Sequence, residues 1–375
     1  MRILSIFTFL TIFLSAYFGF NLLMYFFIIR GIPSVKIYLR VLLPVLAVSY
    51  PLGAILDRIA PNTIPFILTY IGSIWLGFTT IGISIFSIFY ILLLFSKIFS
   101  ISITQNSVFI FYSTVLLLIL TLCFSVFAIY EAHHPAITNI TIQAPTLNTD
   151  ELKILHLSDM HAGTMIREKE LLKIIALCKN TNPDLIVITG DFVDADMGRA
   201  KPLIHILKEF SVIAPVYAVP GNHEFYAGID KIEQLFKESN IPLLRNEVLI
   251  FHNLIDIVAL DDEEHSSFIG KMSNTIDELF GKCSGSRPII FLTHRPANFK
   301  KAADLGALLQ LSGHTHNGQI FPGNLIIKMI FEYPQGLNKY KNSYIYTNRG
   351  AGTWGPPMRL FSPPEIALIT LKRKS

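Results

Sequence analysis

Charge is what this 375-residue chain has least of: 15% of its residues are Asp, Glu, Lys or Arg, against 51% hydrophobic. The shortage is local. Residues 1–130 hold seven charged side chains (Arg2, Arg30, Lys36, Arg40, Asp57, Arg58 and Lys97), while the rest has the composition of an ordinary globular domain. Cysteine is nearly absent too. Cys123, Cys178 and Cys283 make no CxxC pair and are too few for a disulfide framework, which leaves unpaired thiols in a reducing compartment or in lipid. No basic stripe is interleaved with aromatics, so the net charge of +4 argues for no nucleic-acid partner. Internal repeats and low-complexity segments are missing as well.

What the first third has instead is apolar runs. Residues 5–29 are long enough to cross a bilayer, and no small-x-small cleavage site follows, so the run reads as a retained span rather than a signal peptide. Runs at 41–56 and 108–130 read likewise. Residues 63–96 are apolar for over thirty positions with Gly72, Gly77 and Gly82 inside, consistent with one tilted helix or two short ones. The expectation is a transmembrane anchor of four or five helices over 1–130, in a multi-pass membrane protein. No charge within the runs suggests a transport path. Arg30, Lys36 and Arg40 place their loop in the cytoplasm by the positive-inside rule. Four spans then put the C-terminal domain outside and five put it inside. Residues 131–150 read as a linker whose His133 and His134, beside Pro135, are solvated rather than metal-bound.

From 151 onward strands alternate with helices, then continue mostly alone, which predicts an α/β domain with mixed strand pairing over 151–375. Apolar runs at 153–158, 184–189, 215–220, 288–293 and 307–312 each end in a polar island. The islands are Asp159-Met-His161, Gly190-Asp191-Phe-Val-Asp194, Gly221-Asn222-His223-Glu224, His294 and Gly313-His314-Thr-His316. Side chains at the ends of successive strands can meet on one rim of a sheet. Any island alone is ordinary: a strand-end Asp caps helices, and a lone His is usually a satisfied core residue. All five together are not.

Asp159, His161, Asp191, Asn222, His294, His314 and His316 make a mixed O/N ligand set suited to Mn, Fe or Zn rather than Ca or Mg. Seven ligands exceed one ion and suffice for two if one carboxylate bridges. Such a pair is the clamp used for in-line displacement at phosphorus. His223, beside Asn222, is placed to act as a general acid.

The series Asp-x-His, Gly-Asp-x-x-Asp, Gly-Asn-His-Glu, His, Gly-His-x-His resembles the calcineurin-like metallophosphoesterase family over residues 153–316. The resemblance implies two mixed β-sheets packed face to face with helices outside. It implies one metal on Asp159, His161, Asp191 and His316 and a second on Asp191, Asn222, His294 and His314, with Asp191 bridging. His223 would be the catalytic acid and Asp194 would orient it. Residues 347–359 and Gly318-Gln319 are similar to the bacterial membrane-associated branch, in which Arg349 or Arg359 would grip a phosphate. Polytopic members resemble UDP-2,3-diacylglucosamine pyrophosphatases of lipid A synthesis, implying a cytoplasmic domain acting on a nucleotide-linked lipid. The candidates for the surface that would take its acyl chains are Phe268, Ile269, Met272, Ile276, Leu279 and Phe280 and the apolar positions of 321–333. An extracytoplasmic phosphodiesterase becomes the better reading with four spans. A non-catalytic membrane scaffold on the same fold is the reading from another class.

Overall fold

A computed structural model describes residues 2–60, 62–100, 106–194, 204–262 and 275–373. The chain divides into two units.

Among its described residues the first unit contains four long helices: α1 (Arg2–Gly31), α2 (Lys36–Ile59), α3 (Thr63–Ile98) and α4 (Ser107–Ala132). Each is long and apolar enough to cross a membrane. The undecided run at 63–96 is a single helix of 36 residues, about 54 Å long at 1.5 Å per residue. Its Gly72 is no break. A Cβ there would strike the Tyr50 backbone, and one at Gly53 would strike Thr69, so glycines bring α2 and α3 into close contact. The indole N–H of Trp75 donates to Asn21 Oδ1 at 2.7 Å, tying α3 to α1. Two short later segments, Ile320–Pro322 and Gly355–Leu360, also belong to this unit. Ile320, Met358 and Leu360 cluster with Ile81 and Ala128.

The second unit holds two mixed sheets, as the sequence predicts. The first runs β1 (Ala136–Gln143), β11 (Glu365–Lys372), β2 (Glu151–Leu157), β3 (Leu185–Thr189), β4 (Val216–Val219). The second runs β5 (Glu247–Phe251), β6 (Ile255–Ala259), β7 (Ile289–Leu292), β8 (Ala307–Ser312), β10 (Ser343–Thr347), β9 (Gly336–Tyr340). Alternation along each strand sorts the two faces. Ile154, Leu185 and Val187 meet Ile257, Ile290 and Leu309 in one core between the sheets. The intervening Leu155, Ile186 and Ile188 pack outward under α5 (Glu168–Lys179), α6 (Ile204–Ile213) and α8 (Ile229–Glu238). Phe291 and Val258 pack under α9 (Ile276–Phe280), beside α10 (Phe299–Asp304). Two further short helices among the described residues are α7 (Asn222–Ala227) and α11 (Gly323–Ile330).

The helix expected near 200–210 is present, Ile204–Ile213 among the described residues. Two departures from the sequence reading stand out. The stretch 131–150, read as a linker, carries β1, whose Ile- and Thr-rich residues pair in parallel with β11. Ile276, Leu279 and Phe280, candidates for an acyl-chain surface, are buried against β6 and β7; Phe268, Ile269 and Met272 lie outside the described residues.

Because β2, β3 and β4 are parallel neighbours, their C-terminal ends share a rim, and the same holds for β7 and β8. Loops after parallel strands are where such sheets build sites.

Candidate metal centre

Five of the side chains singled out at strand ends sit on left-handed backbone: Asp159 (φ 52), His161 (φ 48), Asp191 (φ 50), His314 (φ 70) and His316 (φ 48). For residues with a Cβ this conformation costs roughly 1–2 kcal/mol each. Its recurrence at the polar islands marks a place where the chain is bent to aim side chains. Glycine makes the tight approach possible. A Cβ at Gly313 would run into Ser158 Oγ and Asp159 Oδ2.

The islands do converge. Asp159, His161 and His316 bring one ligand atom each to within 4.8 Å of one another, and so do Asp191, His294 and His314. His161 Nε2 lies 3.0 Å from His316 Nε2, and His316 Nε2 lies 3.5 Å from Asp159 Oδ1. In the other group His294 Nε2 lies 3.1 Å from both Asp191 Oδ2 and His314 Nδ1. The two groups meet at Asp191, whose Oδ2 is also 3.9 Å from His161 Nε2. Asn222 has a buried Oδ1 with no hydrogen-bond donor. The cage thus holds more lone pairs than protons, and divalent cations fit that deficit.

Surrounding groups hold the donors in position. Asp159 accepts from Ser158 Oγ at 2.6 Å and from the His314 N–H at 2.9 Å. His294 Nδ1 faces the Thr189 carbonyl at 2.8 Å, where it can only donate, which turns Nε2 toward the cage. Asp191 Oδ1 accepts the His223 N–H at 2.9 Å. Glu224, fully buried, accepts three backbone N–H groups, from Asp191 (2.8 Å), Val193 (3.1 Å) and Gly221 (2.8 Å). Glu224 was part of an island in the sequence, but nothing there gave it a role. Its function depends on two loops that are distant along the chain.

His223 lies beside the cage, its ring centroid 4.6 Å from that of His161. Its Nδ1 is 3.2 Å from Asp194 Oδ1. Two exposed aromatics flank it, Tyr226 at 5.5 Å and Trp354 at 6.3 Å between ring centroids. Gln319 fixes the Trp354 backbone, donating to its carbonyl and accepting its N–H, both at 2.9 Å. Neither aromatic was legible as part of a site. Arg349 gives its guanidinium to Glu365 at 2.6 Å, an ion pair the sequence does not reveal. Arg359 is fully buried in the first unit, its N–H donating to the Ala128 carbonyl at 2.8 Å. Of the two arginines expected to grip a phosphate, Arg349 is thus ion-paired and Arg359 enclosed.

Electrostatics follow from burial and from Asp191. Burial alone lowers the pKa of a histidine, but Asp191 outweighs it at His294, pushed up to about 10, and with Asp194 at His223, pushed up to about 9. Burial prevails at His161 and His314, lowered to about 3 and helped by their charged neighbours His223 and His294 respectively. Asp191 is held well below the carboxylate range because His294 and His223 overcome its burial. Asp159 rises to about 6, chiefly through burial.

A model of the calcineurin-like phosphoesterase family matches residues 152–318. An uncharacterized metallophosphoesterase of Aquifex aeolicus is 32% identical over 247 residues, 65% of this chain and 94% of that protein. One from Campylobacter jejuni is 34% identical over 261 residues, 67% of this chain and 68% of its own. A "transmembrane protein with metallophosphoesterase domain" of Danio rerio is 29% identical over 277 residues, 70% of this chain and 63% of its own.

Two outcomes follow. In Glu224→Gln, one face of the amide presents an NH2 to backbone N–H donors, so thermal unfolding of the metal-free protein should show a loss of about 1–3 kcal/mol; an unchanged midpoint would refute the bracing role. In the metal-free site the His294 imidazolium persists up to about pH 10. Cation loading at neutral pH must expel that proton, so apparent affinity should rise with pH toward that value. Calorimetric titration with Mn²⁺ in buffers of different ionisation enthalpy should show proton release, diminished in His294→Ala. Equal release in both proteins would contradict the assignment.

Proposed function

The chain belongs to the calcineurin-like phosphoesterase family, and on that premise we propose that it is a membrane-anchored, two-metal hydrolase of phosphodiester or pyrophosphate bonds whose catalytic unit lies outside the cytoplasm. The observation carrying this reading is the meeting of both ligand groups at the Asp191 carboxylate. One ion would be held by Asp159, His161, Asp191 and His316, the other by Asp191, Asn222, His294 and His314, with Asp191 shared. Mn, Fe or Zn, when bound, supplies Lewis acidity that neutralises phosphoryl oxygens and acidifies the attacking water.

The remaining work falls to the chain itself. Asp194 Oδ1, 3.2 Å from His223 Nδ1, would orient the ring so that Nε2 is the donor available to a leaving oxygen. Tyr226 and Trp354, both packed against the His223 ring, would shield a leaving group of some size from water. The complete set of ligands and acid speaks for an enzyme over a silent scaffold.

Sidedness rests on the four helices. Arg30, Lys36, Arg40 and Lys97 flank the α1–α2 and α3–α4 connections, against Arg2 and Arg58 on the opposite side. The positive-inside rule therefore keeps those connections cytoplasmic and sends β1 and everything after it outward. The nucleotide-lipid of the narrower expectation is cytoplasmic and needs five spans, so the extracytoplasmic alternative is the one favoured. An amphipathic phosphate-containing substrate at the membrane surface remains the substrate class.

Purified full-length protein with Mn²⁺ should hydrolyse bis-p-nitrophenyl phosphate. Asp191→Ala should abolish turnover, and His223→Ala should reduce it by about 10²–10⁴-fold. Turnover that survives Asp191→Ala would refute the two-metal reading. Separately, alkaline phosphatase fused after Ser375 should be active in cells; a silent fusion would return the domain to the cytoplasm.

A further inference from the structure

A soluble domain seldom leaves a contiguous apolar stripe uncovered, and α11 is one. None of its residues is buried. Leu325, Ile326, Met329 and Ile330 are 51%, 54%, 87% and 65% exposed, and at 100° per residue they fall within an arc of roughly 140°. Lys328 is exposed beside them.

The distribution of such residues over the second unit is uneven. Eleven large hydrophobics are exposed among its described residues: Leu172, Val212, Tyr226 and Ile250, the four of α11, Leu337, Trp354 and Phe361. Six of the eleven border the two short segments that belong to the apolar helical unit. The α11 stripe begins just after Ile320–Pro322, Trp354 immediately precedes Gly355–Leu360, and Phe361 immediately follows it. Singly exposed hydrophobics need no explanation, but four along one face of a helix, with two aromatics adjoining in sequence the segments of the apolar helical unit, do.

From this we infer that α11 lies in the lipid–water interface with Leu325, Ile326, Met329 and Ile330 among the acyl chains, flanked by Trp354 and Phe361 as interfacial aromatics. The occupant of the stripe is the bilayer surface. An amphipathic helix with a basic residue beside its apolar face has the chemistry for it, Lys328 meeting anionic headgroups. The inference rests on the reading of α1–α4 as membrane spans. It also bears on the metal centre. Phe331, at the end of α11, packs its ring 5.8 Å from that of His314, and the start of α11 abuts Gly318 so closely that no Cβ would fit there. A helix seated in the interface would hold the His314–His316 turn at headgroup depth, where amphipathic phosphates present their polar ends.

The test uses the full-length protein in nanodiscs of phosphatidylcholine and phosphatidylglycerol, with Cys123 and Cys283 replaced by Ser. A polarity-sensitive fluorophore is placed at Met329→Cys, at Val212→Cys as the exposed control, and at Leu116→Cys on α4 as the control for the spans. Doxyl-labelled lipid should quench the probes at 329 and 116 severalfold more than the probe at 212, and aqueous iodide should do the reverse. Quenching at 329 equal to that at 212, with 116 still lipid-quenched, overturns the inference while sparing the spans. Loss of lipid quenching at 116 as well overturns both. Ready disulfide linkage of Met329→Cys between molecules would assign the stripe to a second copy and overturn the bilayer as its occupant.

Discussion

A carboxylate cut off from water, that of Glu224, braces the loop after β3 against the loop after β4 through three backbone N–H groups. Burying a charge is costly unless every lone pair is engaged, and here the engagement is with groups that cannot find partners in regular structure. The brace delivers Asp191 to its place, and Asp191 orders what lies around it: His294 and His161 at one oxygen, the His223 N–H at the other. Strained left-handed residues at five ligand positions persist because this network over-determines them. The sheets supply rigidity, and the loops convert it into a fixed constellation.

The distribution of protons in the cage follows from the same carboxylate. At His294 and His223 the carboxylates of Asp191 and Asp194 outweigh burial and favour the charged form, whereas at His161 and His314 burial and the neighbouring charged histidines favour neutrality. Alternating charge of this kind is how a sealed cluster of like groups avoids repelling itself apart. Cations would replace protons in the same electrostatic pattern, which is why an acid-rich and imidazole-rich pocket can be stable both empty and filled.

Much of this was legible beforehand. Parallel strands buried on both faces read as unbroken apolar runs, so β2, β3, β4, β7 and β8 and the islands at their ends stood out. What stayed hidden depends on partners far apart in sequence. β1 is half-exposed, its isoleucines interspersed with polar residues rather than forming an apolar run, and its strand partner β11 lies over two hundred residues away. Arg349 looked available because Glu365 reaches it only once the sheet has formed. The span count was open because an apolar run carries no punctuation, and glycines that bring helices together look the same as glycines that end them. Tyr226 and Trp354 gained meaning only when folding set them beside His223.

The order of strands in the first sheet has a consequence for how the protein is made. β11 lies between β1 and β2, with Ala136 opposite Glu365. The strand that follows the last membrane helix directly therefore waits, edge unpaired, until β11 itself has been synthesised. By then the anchor has long been available for insertion, and domains otherwise tend to fold in the order they emerge. Sheet closure by β11 is thus a late event, and a ribosome stalled before residue 365 leaves a tethered, open-edged intermediate. Quality control at the membrane would meet that species first.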